Sequence, residues 1–329
     1  MDANLGECRL SHVTPSLDVV IVNWNTGPLL QACLGSIAAA RRSTFSVGRV
    51  AVVDNASVDG SCDRLDAFDL PVVLTRNPEN RGFAAACNQA AAGAVSNYLL
   101  FLNPDTALFP DSLSRPIAFM EEPANADAGI CGVRLVGDNG ATAVSCARFP
   151  TVGTFFGQAT GLTRLWPRLF RPHLMTAEEC RVTQNVDQII GAFFLVRRSV
   201  FELLGGFDDR FFVYFEEVDL SLRARERGYR SVYLADAAVY HRGGASSDQV
   251  KATRLFYSLR SRLLFGFKHY GRLKALLLVA VTVGIEPITR LLRALARGSL
   301  IEVKETLRGY GELFGYFKQR GRTPINERS

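Results

Sequence analysis

The chain has 329 residues, 48% apolar and 21% charged, with a formal net charge of +6 and a mean hydropathy of +0.09. This excludes a disordered chain, a collagen and a small disulfide scaffold, and the length suits about two domains, or one large domain with an appendage. The charge is unevenly placed: 17 Lys/Arg and 6 Asp/Glu lie from His241 onward, against 21 basic and 26 acidic groups before it.

Residues 1–16 contain no apolar stretch of signal-peptide length, so an intracellular location is expected. From Leu17 the chain turns regular. Leu17–Val22, Val50–Val53, Val72–Leu74 and Tyr98–Leu102 are short apolar runs of the kind that form buried parallel strands. Helical patterns at Leu29–Ala40 and Phe83–Ala94 lie between them, which predicts an α/β domain with a mainly parallel sheet. Each strand ends in polar residues: Asn23 and Asn25, Asp54 and Asn55, Arg76 and Asn77, Asn103 and Asp105. Ligands of open α/β sheets bind at the carboxyl ends of strands, so these four endings predict one site rim.

Residues 151–181 lose the rhythm and read as an insertion or acceptor-side loop, with an arginine-rich stretch at 164–171 that would suit a phosphate. A strand is expected at Gln188–Val196, a loop becoming a helix over Phe211–Arg227, and short strands at Ser231–Leu234 and Ala238–Tyr240. Beyond Lys251 the chain is helical and basic. Ala275–Ile285 is eleven residues without a charge, which Glu286 and Pro287 should end. A spanning helix needs about 20 apolar residues, so this run predicts either a helix in a membrane interface or a buried core helix. Nucleic acid is not expected, because no zinc-finger or RNP-like motif accompanies the charge. The seven cysteines form no CxxC pair, which argues against a zinc site or a disulfide framework and for reduced thiols.

Three places carry candidate chemistry. Asp105, in Asn103-Pro104-Asp105-Thr106, is either a cation ligand beside a phosphorylated substrate or a turn cap. Glu216, Glu217 and Asp219 crowd three carboxylates into four positions. On a helix Glu216 and Asp219 share a face, Glu217 points about 100° away, and Arg223 is placed to pair with Asp219. Such carboxylates suit a helix N-terminus, but the aromatic neighbours Phe211, Phe212, Tyr214 and Phe215 would raise a glutamate toward a general base. His241 is either structural or a further cation ligand.

In order, VVIVNWNT, VVDNASVDGS, NPENRGFAAACNQA, LFLNPDT, GAFFLVRRSVFELLGGFDDRFFVYFEEVDLSLRARERGY and VYHRGGAS resemble family 2 glycosyltransferases, in particular bacterial rhamnosyltransferases of surface polysaccharide synthesis. The resemblance spans about Leu17 to Ser246. It implies a GT-A fold over 17–246, with an N-terminal extension over 1–16 and a basic, partly apolar helical region over 247–329. It also implies an inverting transfer, best matched by L-rhamnose from dTDP-L-rhamnose, to a lipid-linked or polysaccharide acceptor at the inner face of the plasma membrane. A UDP-sugar transferase or a catalytically silent scaffold is the alternative. An NAD-type oxidoreductase is disfavoured, because Asn-Trp-Asn-Thr-Gly stands where G-x-G-x-x-G would follow the first strand.

Carried over by motif, Asp54 contacts the nucleobase, and Asn23, Asn25, Asn80, Arg81, Gly82, Asn103, Gly191 and Glu216 contact substrate. Asp105 and His241 hold a divalent cation, Mg or Mn, and Glu217 is the base with Asp219 second. Two positions depart from the family pattern. Asn103 replaces the first aspartate of D-x-D, which weakens the expectation of metal dependence, and Glu217 stands where aspartate is usual.

Overall fold

The computed structural model describes residues 14–243 and 250–320. The expected boundary at 246/247, most of the N-terminal extension, Cys8, and Gly244 to Ser246 of the last motif lie outside the described residues.

Strand β1 (Ser16–Asn23) leads to helix α1 (Leu29–Ala39), β2 (Ser46–Asp54), β3 (Val72–Arg76), α2 (Phe83–Ala91) and β4 (Tyr98–Leu102). These four strands run parallel in the order β3-β2-β1-β4. The apolar runs are continuous because both sheet faces are covered: Val19 and Ile21 enter one core layer, Val20 and Val22 the other. Helix α1 buries Leu30, Cys33, Leu34 and Ile37, the spacing of one helical face, on the first layer. Helix α2 packs on the second through Ala84, Ala86, Cys87 and Ala90, small residues that bring its backbone close to the sheet.

β5 (Thr106–Leu108), α3 (Ser114–Glu121), β6 (Ala128–Val136), β7 (Thr142–Ala143) and β8 (Cys146–Ala147) follow, then α4 (Val152–Thr160) and α5 (Leu162–Leu165). Next come β9 (Gln184–Val186), β10 (Gln188–Ile189), β11 (Phe193–Arg197), α6 (Arg198–Leu203), α7 (Glu216–Glu226) and β12 (Arg230–His241). The main sheet continues β4-β11-β6-β12-β5, with β11 antiparallel to β4 and β12 parallel to β6. The expected strand over Gln188–Val196 is thus two strands. β10 pairs β8 in a separate small sheet, and the chain between them is turned aside where Ile190 N bonds Ser145 O and Ala192 O receives Asn103 N. Conversely, the two short strands after Ser231 are one strand, whose register against β6 shifts between Leu234 and Ala238. Residues 151–181 are not all loop, since Thr151 and Thr154 form a reciprocal cap that starts α4.

The tail is α8 (Lys251–His269), α9 (Arg272–Val279), a π-helical turn (Ala280–Ile285), α10 (Glu286–Ala296) and α11 (Leu300–Arg320). Glu286 and Pro287 end the uncharged run but not the helix. The wider π turn absorbs a proline that an α-helical ladder would reject, and one helix continues over Arg272–Ala296. At 25 residues, with mean hydropathy 1.8 in its most apolar stretch, that helix is long and apolar enough to cross a membrane. It also carries Glu286, buried and paired with Arg262 of α8 and with Arg290. Helices α4, α8 and α9 share a third core with Phe211, Phe215 and Val218, so the basic tail packs against the end of the sheet domain. The six described cysteines are all buried free thiols.

Candidate active site

The rim follows from strand register. Asn23, Asp54 and Arg76 are level with one another at the ends of β1, β2 and β3. Asn23 is fully buried and donates to Ser61 Oγ at 2.7 Å and Ser57 Oγ at 3.0 Å, while its own oxygen accepts from Thr26. Asn25, at φ 51°, accepts from the Val58 amide at 2.9 Å, and its N–H donates to Ser57. Asp54 accepts from the Ser57 amide, and its second oxygen lies 3.2 Å from the guanidinium of Arg76. Short polar side chains thus fold the segment after β2 onto the end of β1.

A second polar chain reaches the 80–82 turn. Asn77 donates to Asn55, and Asn55 donates to the carbonyl of Gly82 at 3.1 Å. Asn80 caps the turn by accepting from the Gly82 amide, and Arg81 extends into solvent. Gly82 has φ 86° and ψ 168°, a conformation open in practice only to glycine, and a Cβ there would lie 2.5 Å from the Phe212 carbonyl. The Phe83 amide donates to that same carbonyl at 2.6 Å. This ties the rim to the loop before α7. Asn55 and Asn77, expected at the rim as polar strand ends, are thus its builders. Phe212, expected only as an aromatic neighbour of the glutamates, joins the rim to their loop through its carbonyl.

β5 pairs with β12 so that His241 faces Thr106, which sets His241 Nε2 3.3 Å from Asp105 Oδ1. Asn103 precedes them, its amide bonded to Ala192 and its carbonyl accepting from Thr106. Gly191 adjoins this turn, and a Cβ there would meet nothing within 4 Å, so packing does not require the glycine. Among the described residues no group of three or more His, Cys, Asp and Glu converges to hold a metal. The pair itself does fit a cation whose remaining ligands are phosphate oxygens, since it joins one hard carboxylate oxygen and one imidazole nitrogen at a strand mouth.

Glu216 and Glu217 open α7 after a strained turn, Tyr214 at φ 68° and Phe215 at φ 72°. Two consecutive non-glycine residues in the left-handed region persist only when their surroundings dictate it. Here Phe211 is fully buried, Phe212 stacks on Tyr257 at 4.4 Å, and the carbonyls of Arg210 and Val213 accept from Arg260 and Ser261 of α8. Both glutamates have a buried oxygen, Oε2, without a hydrogen-bond partner. Burial raises Glu217 to about 7, offset in part by the amides of Glu217 and Val218 at the helix start. Burial, and then the charge of Glu217, hold Glu216 well above the carboxylate range. Both carboxyls of the pair are thus raised, and Glu217 titrates near neutrality.

Asp219 is a different case, and the reading of it as a second base does not survive its geometry. It is fully buried, with Arg223 at 2.8 Å, Lys268 at 2.6 Å and His269 at 2.7 Å. Burial would raise its carboxyl, but His269, Lys268 and Arg223 together hold it below its ordinary value. A carboxylate so neutralised is a poor proton acceptor, and it serves to fix α7 to α8. The pairing with Arg223 was legible from four-residue spacing. Lys268 and His269, some fifty residues away, were not.

The sequence pattern of "Glycosyl transferase family 2" matches residues 18–205. The chain belongs to glycosyl transferase family 2. An N-acetylglucosaminyl-diphospho-decaprenol L-rhamnosyltransferase of Mycobacterium tuberculosis is 29% identical over 268 residues, covering 77% of this chain and 84% of that protein. Rhamnosyltransferase WbbL of Escherichia coli is 32% identical over 146 residues, 43% of this chain and 50% of that one. Among solved structures, mannosyltransferase PcManGT of Pyrobaculum calidifontis, in complex with GDP-Man and Mn²⁺, superposes with a TM-score of 0.54 at 20% identity, over 92% of this chain and 81% of that one. The fold is GT-A, and this family 2 protein is a glycosyltransferase of rhamnosyltransferase-like type. Its matched region includes the whole rim and Asp105, while Glu217 and His241 lie beyond it.

Proposed function

We propose that this glycosyltransferase moves L-rhamnose from dTDP-L-rhamnose to a hydroxyl of a lipid-linked acceptor, by one inverting displacement with Glu217 as the base. The observation that carries the catalytic assignment is the Glu217 carboxylate: one oxygen unpartnered, its proton affinity matched to neutral pH, its helix clamped through Asp219. The acceptor hydroxyl gives its proton to Glu217 as its oxygen bonds the anomeric carbon, and the bond from that carbon to the diphosphate breaks. Glu216, whose carboxyl burial also raises, lies beside it at the start of α7. On the donor side, Asn23, Asn25 and Asp54 form the nucleoside rim, with Asn80, Arg81, Gly82, Asn103 and Gly191 around it. Asp105 and His241 would hold a divalent cation, Mg²⁺ or Mn²⁺, which when bound supplies positive charge to the diphosphate.

The donor and acceptor class rest on the mycobacterial relative, whose name states both an L-rhamnosyl transfer and a diphospho-decaprenol acceptor. A position at the inner membrane face fits the tail. Leu273, Leu276, Ile288, Leu292, Leu295 and Ile301 are each at least 59% exposed, among the basic residues Arg272, Lys274, Arg293 and Arg297. The buried contacts of Glu286 with Arg262 and Arg290 favour a helix lying along the surface over one crossing it.

Substitution Glu217→Gln tests the central assignment. Turnover should fall by about 10²–10⁴, while calorimetric binding of the nucleotide-sugar is retained. Undiminished transfer would remove Glu217 from the mechanism. The same calorimetry with dTDP-rhamnose, UDP-galactose, UDP-N-acetylglucosamine and GDP-mannose, each with and without Mg²⁺ or Mn²⁺, assigns the donor. Tight binding of a UDP-sugar in place of dTDP-rhamnose would overturn the rhamnosyl reading.

A further inference from the structure

Residues 164–169 project from the far side of α4 as a fully exposed segment. Leu165 is 69% exposed, Trp166 57% and Leu169 75%, an apolar cluster of a size that a soluble surface rarely presents in six consecutive positions. Arg164, Arg168 and Arg171 are interleaved with them, all exposed, and none has an ion-pair partner among the described residues. The acidic residues next along the chain are already engaged, Glu178 with Arg181 at 3.3 Å and Glu179 with Arg148. Among the described residues the three arginines are thus left to solvent and open to an external anion.

The segment is not a loose loop. Phe170 turns inward onto Phe156 with ring centroids 5.9 Å apart, and a Cβ at Gly157 would lie 2.6 Å from the Phe170 Cβ, so the loop is pressed close onto α4. Helix α4 in turn packs against α9, the π turn and α10, the same helices that expose Leu273, Leu276 and Leu292. Through Phe155 it also touches Phe215, one residue from Glu216. The segment is thus rigidly tied both to the apolar tail and to the catalytic corner.

We propose that residues 164–171 form a second lipid-contacting element, docking into an anionic bilayer with Trp166, Leu165 and Leu169 among the acyl boundary and the three arginines on headgroup phosphates. Tryptophan and arginine together at the end of an apolar cluster suit the interface, where one part of each side chain is wet and the other is not. The inference rests on the membrane position given under Proposed function and adds to it. Two contacts, the tail and this segment, fix the tilt of the enzyme and hence the height of Glu217 above the bilayer.

Trp166 is its own reporter, since the chain has only two tryptophans. Tryptophan emission of the full chain is recorded with vesicles of phosphatidylcholine alone and of phosphatidylcholine with phosphatidylglycerol, and the contribution of Trp166 is taken as the difference from Trp166→Phe. With the anionic vesicles the Trp166 emission should shift to the blue and be quenched by brominated acyl chains. The triple variant Arg164→Gln/Arg168→Gln/Arg171→Gln, with an unchanged thermal midpoint as its folding control, should bind them about a hundredfold more weakly. Co-sedimentation with vesicles without any change in Trp166 emission would overturn the proposal and leave the tail as the membrane contact. Undiminished affinity of the triple variant would overturn it as well. No vesicle binding by the wild-type chain would sink both membrane contacts, while transfer to a water-soluble acceptor would still stand as the separate test of the glycosyltransferase reading.

Discussion

At the rim, fixing bonds run between side chains on neighbouring strand ends, as with Asn23 on Ser61 or Asp54 on Arg76. The corner around Glu217 is held instead by Lys268 and His269, which arrive from α8. Apart from the Asp54–Arg76 pair, the rim uses short neutral amides and hydroxyls that lose little freedom when ordered and need no compensating charge. The corner accepts left-handed backbone at Tyr214 and Phe215, a buried Glu216 and a half-buried Glu217, and offsets them with an ion cluster and aromatic packing. The contrast teaches that the tail is part of the corner around Glu217 as well as a basic surface. Without α8, the strained turn before Glu216 loses Ser261, Arg260 and the Phe212–Tyr257 stack together.

The sharpest way to break this comparison is Asp219→Asn. Losing the carboxylate that Arg223, Lys268 and His269 all contact should destabilise the fold by about 3–5 kcal/mol, read as a lowered denaturant midpoint, with turnover falling alongside. Because the folded carboxyl lies below its ordinary value, this contribution is complete above the usual carboxylate range and is lost as pH falls through the lowered native value. An unchanged midpoint would mean that the corner does not depend on α8.

Gly82→Ala probes the seam between the two regions. The backbone conformation alone should cost about 1–3 kcal/mol, and the added Cβ must also push Phe212 away. Activity should therefore fall more than nucleotide-sugar binding does, and equal losses in both would show that the seam serves the rim alone.

The mildest perturbation is pH itself. If Glu217 is the base, turnover at saturating substrate should drop about tenfold per unit of pH below an acid limb near 7. The sign for stability is opposite to that for Asp219. The native state holds this proton more tightly than the unfolded chain, so Glu217 makes the fold less stable as pH rises from the ordinary carboxylate range to about 7. A limb at the ordinary glutamate value would detach Glu217 from the rate.

How much of this was legible follows the same divide. The first four strands, the helices between them and the polar strand ends were readable from continuous apolar runs and their terminations, because each signal is local. Asp105 and His241 stood out singly, and only the β5–β12 register brings them together. The course of the chain near Gly191 was misread, since nothing in QIIGAFFLV says that Gln188 and Ile189 pair with β8 instead of the main sheet. That the helix runs on past Pro287 was not legible, because a π turn leaves no compositional mark. The role of Asp219 was out of reach for the same reason as Lys268 and His269: its partners are set by tertiary packing.

The clamp on α7 also imposes an order in time. A ribosome delivers the rim strands first, and β1 to β4 are complete by Leu102, whereas Lys268 and His269, which fix Asp219, leave the ribosome some fifty residues after Glu217. At about 5–20 residues per second, the newborn chain spends roughly 3–10 s with the start of α7 made and its clamp absent. With Glu217 as the base, as proposed, turnover therefore waits until α8 has been made and has closed onto the corner.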